Sequence, residues 1–168
     1  MREKITVRIV PLAIAAILVL MDQLTKFYII GNFQLHESQT VFEGVLDFTY
    51  VQNTGAVGGI LSDHRWIFMT VTAIVVLACF FIILSGKVKA KLMLCAMTLI
   101  MAGGIGNMLD RIVRGYVIDF IDVKLGFLDN FFIFNIADCF VVIGVICAMF
   151  YFIIDISESS VKKNKAEK

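Results

Sequence analysis

The chain has 168 residues, of which 60% are hydrophobic, with a mean hydropathy of +0.89 and a formal net charge of +1. That length ordinarily makes one domain, but a water-soluble fold cannot hide so large an apolar share. The scattered basic residues form no stripe for phosphates, which excludes a nucleic-acid partner.

A hydrocarbon core of roughly 30 Å takes about 20 helical residues to cross. Residues 9–30 make the first such run, preceded by Arg2, Lys4 and Arg8. It resembles a signal peptide at its start, yet no small-residue cleavage site follows and the run continues through Asp22 and Lys26, so it reads as a retained helix. Pro11, the single proline, sits near its beginning, where a missing N–H is tolerated. The connection 31–65 includes residues 41–51, where Asp47, Thr49 and Val51 alternate with Phe48 and Tyr50 in a strand-like manner. Gly55, Gly58 and Gly59 then mark a flexible or tightly turned segment.

Residues 66–84 and 92–109 make the second and third spans, and residues 131–154 the fourth. The second connecting segment at the outer end is 110–130, and the Ser- and Lys-rich stretch 155–168 reads as an unstructured tail. Gly103, Gly104 and Gly106 lie inside an apolar run with no preceding strand, which points to close helix packing rather than a phosphate loop. Cys79, Cys95, Cys139 and Cys147 lack any metal-like spacing and read as buried free thiols.

Basic residues orient the spans. Arg2, Lys4 and Arg8, then Lys87, Lys89 and Lys91, then Lys162, Lys163, Lys165 and Lys168 occupy alternate segments, which should face the cytoplasm. The other two connections carry only Arg65, Arg111, Arg114 and Lys124 and should face outward.

An ionisable group inside a span costs about 3 kcal/mol on insertion scales, so each is a functional candidate. At about 1.5 Å per residue, Asp22 and Gln23, Asn107 and Asp110, and Asn135 and Asp138 reach a common level in the outer half of the core. Asn107 with Asp110, and Asn135 with Asp138, share helical faces, so each amide is expected to hold its neighbouring carboxylate. Asp22 and Lys26 are spaced for an ion pair, and Arg111 can answer Asp110 or a partner elsewhere. Asp119 and Asp122 stand among large apolar residues in the outer connection. Two carboxylates meeting in an apolar pocket cannot both ionise cheaply, so one shares its proton with the other. One can then draw a proton from an attacking water while its protonated partner polarises a peptide carbonyl, with no metal or organic cofactor required.

The order Asp22-Gln23-Leu24-Thr25-Lys26, Asn53-Thr54-Gly55-Ala56, Gly106-Asn107-Met108-Leu109-Asp110-Arg111, Gly115-Tyr116-Val117-Ile118-Asp119-Phe120 and Phe134-Asn135-Ile136-Ala137-Asp138 resembles lipoprotein signal peptidase, also called signal peptidase II. The resemblance covers nearly the whole chain. It implies an all-α membrane protein of four transmembrane helices with a small extracytoplasmic β cradle, multi-pass in the bacterial cytoplasmic membrane with both termini inside. It implies an aspartic endopeptidase that removes signal peptides from prolipoproteins just before a diacylglyceryl-modified cysteine, with those prolipoproteins and membrane lipid as partners. The catalytic aspartates would be Asp119 and Asp138. Asp22, Lys26, Asn53, Gly55, Asn107, Asp110, Arg111 and Asn135 would support the dyad or hold substrate. After Ala56 the run Val57-Gly58-Gly59 departs from the family pattern. The alternative is a small proton-coupled membrane transporter or channel, which predicts polar groups at several depths.

Overall fold

A computed structural model describes residues 2–55, 65–124 and 132–166. The elements in chain order are helix α1 (Arg2–Asn32), strands β1 (Ser38–Phe42) and β2 (Leu46–Asn53), helices α2 (Arg65–Ser85) and α3 (Lys91–Val113), strand β3 (Val117–Val123) and helix α4 (Ile136–Ala166). Each helix contains a stretch long and apolar enough to span a bilayer. Gly58, Gly59 and Phe131 lie outside the described residues.

The bundle is built around α3, half of whose apolar window is buried, while the windows of the other three helices are mostly exposed. Ala15 of α1, Val76, Cys79 and Ile83 of α2, and Met97, Met101 and Ala102 of α3 form one buried cluster. Outward-facing Ile14, Ile17, Ile74, Phe81, Val142 and Phe150 are exposed on the bundle surface, where lipid tails rather than water would meet them. The same reasoning corrects the expectation of buried thiols: Cys79 is buried, but Cys95 is exposed on the bundle exterior and Cys139 and Cys147 are half-buried. An apolar side chain in a membrane helix has no need of the core.

Glycines set how closely α3 and α4 approach. A side chain at Gly103 would strike the Ala137 carbonyl and Val141, and one at Gly144 would strike Ile100 and the Ala96 carbonyl. One at Gly106 would strike the Asp22 carboxylate, so α1 also comes close at that level.

The two connections on one end of the bundle meet in a three-stranded antiparallel sheet, order β1-β2-β3. The strand-like stretch 41–51 turns out to be a hairpin, with Gly44 at φ 69 in its turn and Phe42 opposite Leu46. In the β2–β3 pair, Val51 faces Asp119 and Asn53 faces Val117, beyond an irregularity between Phe48 and Val51. Ile29 of α1 and Phe33, just past its end, pack with Tyr50, Ile118 and Phe120, which seats the sheet on the bundle.

Several boundaries differ from the sequence expectation. Pro11 lies within α1 rather than at its start, because the helix begins at Arg2. Asp110 and Arg111 belong to α3, which runs to Val113, and not to the connection. The stretch around Asp119 is a strand, its alternation supported by β2 on one side and by a bridge between Ile121 and Phe134 on the other. That bridge delays the start of α4 to Ile136. The segment from Asp155, expected to lack structure, continues α4 as far as Ala166. No Pro or Gly interrupts it, and extending an existing helix costs far less than nucleating one.

Candidate active site

Asp119 and Asp138 line the same cavity, about 530 Å³ in volume, between α2, α3, α4 and the sheet. Its polar wall also carries Asn53, Gly55, Asn107 and Arg111, and its opposite wall is apolar, with Phe68, Val71 and Val75. A mostly apolar cleft of this size with a few convergent polar groups is the usual form of a substrate site.

Asp119 comes from β3 and is buried. Asn53, on the neighbouring strand and diagonal to it, donates Nδ2 to Asp119 Oδ2 at 2.8 Å. Asn135 donates Nδ2 to Asp119 Oδ1 at 2.6 Å. Burial pushes the Asp119 carboxyl up to about 7, and the nearby Asp138 charge adds to this against the opposing pull of the Asn53 and Asn135 amides and of Lys26.

Asp138 sits in the first turn of α4. Asn135 Oδ1 accepts from the Asp138 backbone N–H at 3.0 Å, and Asp138 Oδ2 accepts from the Asn135 backbone N–H at 3.1 Å. This is a capping box, with Asn135 as the N-cap. Asn135 is therefore outside the helix and not on a helical face with Asp138 as its spacing suggested. An Asn three residues before an Asp, just ahead of an apolar run, was the legible signal. The same asparagine thus touches both carboxylates. Asn107 Nδ2 completes the shell of Asp138 at 2.7 Å, so Asn107 reaches across to α4 rather than holding its neighbour Asp110.

Behind this pair lies a second polar cluster. Lys26 and Asp22, paired as expected, stand 2.9 Å apart, and Lys26 also meets Asp110 at 2.8 Å, all three wholly buried. Asp22 Oδ1 accepts from the Ala137 N–H at 3.1 Å, which ties α1 to the start of α4. Asp110 Oδ2 accepts from the Ile118 N–H at 3.2 Å and so pins β3 beside α3, one residue from Asp119. Arg111 feels the Asp110 charge but its hydrogen bonds go elsewhere. It donates to the carbonyls of Gly55 at 3.1 Å and Asn107 at 3.3 Å, holding the turn after β2 over the cavity, with its charge also felt by Asp119 and Asp138. The second cation on Asp110, beside Lys26, is Arg114, at 2.6 Å, with its guanidinium over the Phe27 ring.

Two members of this cluster were missed as site residues. Arg114 is one helical turn from Asp110, a spacing that could have found it. Gln23, placed at this level beside Asp22 by helix rise but not counted as a site residue, donates Nε2 to the Gly106 carbonyl and to Asp110 Oδ1, each at 3.2 Å. Asp122 points away from the pair, bonded to Thr49 at 2.9 Å and to Lys124 at 2.9 Å. Among the described residues no buried side-chain polar atom lacks a partner, and no group of three or more His, Cys, Asp or Glu is arranged to hold a metal.

Comparison with known proteins identifies relatives for the whole arrangement. The family model described as Signal peptidase (SPase) II matches residues 14–154. The lipoprotein signal peptidase of Streptococcus agalactiae serotype Ia is 36% identical over 141 residues, covering 84% of this chain and 89% of that protein. The lipoprotein signal peptidase of Syntrophus aciditrophicus is 37% identical over 155 residues, covering 89% of this chain and 93% of that protein. A bacterial membrane enzyme solved by the in meso method has a TM-score of 0.81 and 35% identity, covering 89% of this chain and 90% of that one.

Proposed function

The chain belongs to the signal peptidase II family, and from that premise we propose that it removes signal peptides from prolipoproteins with Asp119 and Asp138 as an aspartic catalytic pair. The observation that carries the catalytic assignment is that one asparagine, Asn135, bonds both carboxylates where they line a single cavity.

Asp119, held near neutrality by burial, is the member that carries the proton at rest. Asp138 takes three donated or dipolar contributions, from Asn107, from the Asn135 N–H and from the N-terminus of α4, and serves as the carboxylate. A water between them gives one proton to Asp138 as its oxygen bonds to the scissile carbonyl carbon, while Asp119 gives its proton to the carbonyl oxygen. As the C–N bond breaks, the departing nitrogen takes the proton from Asp138. The collapsing diol returns one to Asp119, and both carboxyls regain their starting states.

The cut falls just before a diacylglyceryl-modified cysteine, whose acyl chains would remain in lipid. The sheet end of the bundle faces outward, and the end carrying Lys87, Lys89 and Lys91 faces the cytoplasm with both termini, in keeping with the positive-inside rule. The transporter reading is not favoured: Asp22, Lys26, Asp110, Asp119 and Asp138 gather at one level instead of forming a ladder through the membrane.

The test is cleavage of a diacylated prolipoprotein by purified wild type, Asp119→Asn and Asp138→Asn, with melting in detergent as the folding check. Both variants should fold and lose cleavage. Substantial turnover by either one removes that residue from catalysis.

A further inference from the structure

We infer that Lys26 is a positioning residue for Asp138 acting through Asn107, whose side-chain amide it holds in the one orientation that turns the NH2 group toward the carboxylate. This rests on the reading of Asp119 and Asp138 as the catalytic pair.

Lys26 is wholly buried, and two of its three ammonium protons are accounted for by Asp22 and Asp110. Its third contact is Asn107 Oδ1, at 3.0 Å. The same oxygen accepts from Asn135 Nδ2 at 3.1 Å, so both of its lone pairs are occupied. On its other side the Asn107 amide donates to Asp138 Oδ1 at 2.7 Å. An ammonium only donates and an ionised carboxylate only accepts, so an amide placed between them has a single satisfiable orientation. Rotated by half a turn, it would present NH2 to the ammonium and to the Asn135 NH2, and its carbonyl to the carboxylate. All three contacts would become repulsive.

Pairing the acids does not by itself require this third contact. The approach of α1 to α3 that makes it possible depends on Gly106, where a side chain would press on the Asp22 carboxylate. Lys26 therefore reaches the reacting carboxylate through one intermediary amide. Without it, only the Asn135 amide holds the Asn107 oxygen, and the donor on Asp138 is placed less firmly while the fold retains its helices.

The experiment is a double-mutant cycle on the full chain in detergent, reading kcat and KM on a diacylated prolipoprotein together with the melting temperature. Lys26→Met should lower kcat on the order of 100-fold with KM little changed, the scale at which misplacing a reacting group acts. In an Asn107→Leu background, Lys26→Met should lower kcat no further, although it lowers the melting temperature in both backgrounds. An equal loss of kcat in the two backgrounds would mean that Lys26 acts through the fold, and the inference falls. If Lys26→Met does not fold, the double variant Asp22→Asn/Lys26→Met, which removes the ion pair as a unit, goes through the same cycle with the same two outcomes. Asp119→Asn and Asp138→Asn are assayed alongside. Turnover by either sinks the dyad reading, whereas two inactive variants with an uncoupled cycle sink only the positioning role.

Discussion

Two groups of buried carboxylates lie side by side in this protein, and their partners differ in kind. Asp22 and Asp110 are answered by cations, Lys26 and Arg114, within 2.9 Å. Asp119 and Asp138 are held by neutral amides from Asn53, Asn107 and Asn135, with the charge of Arg111 beside them, and they line the cavity. Asp22 and Asp110, each bonded to a cation and to a backbone N–H of a neighbouring element, tie α1, α3, β3 and α4 together. Asp119 and Asp138, cradled by amides, instead face a cavity that a substrate can enter. On the proposed function, the difference separates a fastener from a catalytic pair, although all four residues are aspartates at one level of the bundle.

The comparison is broken most directly by removing a carboxylate charge from each group. Asp119→Asn or Asp138→Asn should reduce cleavage by more than about 1000-fold, the scale at which general acid–base groups act, while the protein still melts cooperatively. Asp110→Ala should do the opposite. It leaves Lys26 with Asp22 alone, takes the carboxylate from Arg114 and releases the Ile118 N–H, so it should cost about 3 kcal/mol of stability, seen as loss of folded protein in a melting series. An Asp110→Ala protein as stable as wild type would mean that the cluster is not a fastener.

A pH series sharpens the contrast. Asp119 has its carboxyl raised from an ordinary 3.8 to about 7, so the folded state holds that proton more tightly than the unfolded chain. Its contribution to stability is therefore present at low pH and is lost as pH rises from about 4 through about 7. Over that window the melting temperature of wild type should fall relative to Asp119→Asn, which cannot titrate. Cleavage by wild type should decline above about pH 7 as the resting proton leaves. A basic limb that begins far above this would assign it to another group.

The smallest effect belongs at the edge of the fastener. Arg114 is 12% exposed, and Asp110 keeps Lys26 when Arg114 is removed. Arg114→Gln should lower stability by about 1 kcal/mol, well under Asp110→Ala, with cleavage nearly unchanged at saturating substrate.

Much of the membrane architecture was readable from composition and spacing. Apolar runs of the right length mark four spans because a bilayer demands an internally bonded helix of fixed minimum length. The shared level of Asp22, Asn107 and Asp138 followed from helix rise alone, and the ordered motifs pointed to Asp119 and Asp138. The pairing of Asn107 with Asp138 instead of Asp110, the cap made by Asn135, and the meeting of Arg114 and Gln23 with Asp110 were settled only by tertiary structure. Sequence spacing reports which residues share a face of one helix, whereas these contacts depend on how closely glycines let α3 approach α1 and α4. They also depend on which donors remain for each carboxylate once β3 is pinned between Asp110, β2 and Phe134.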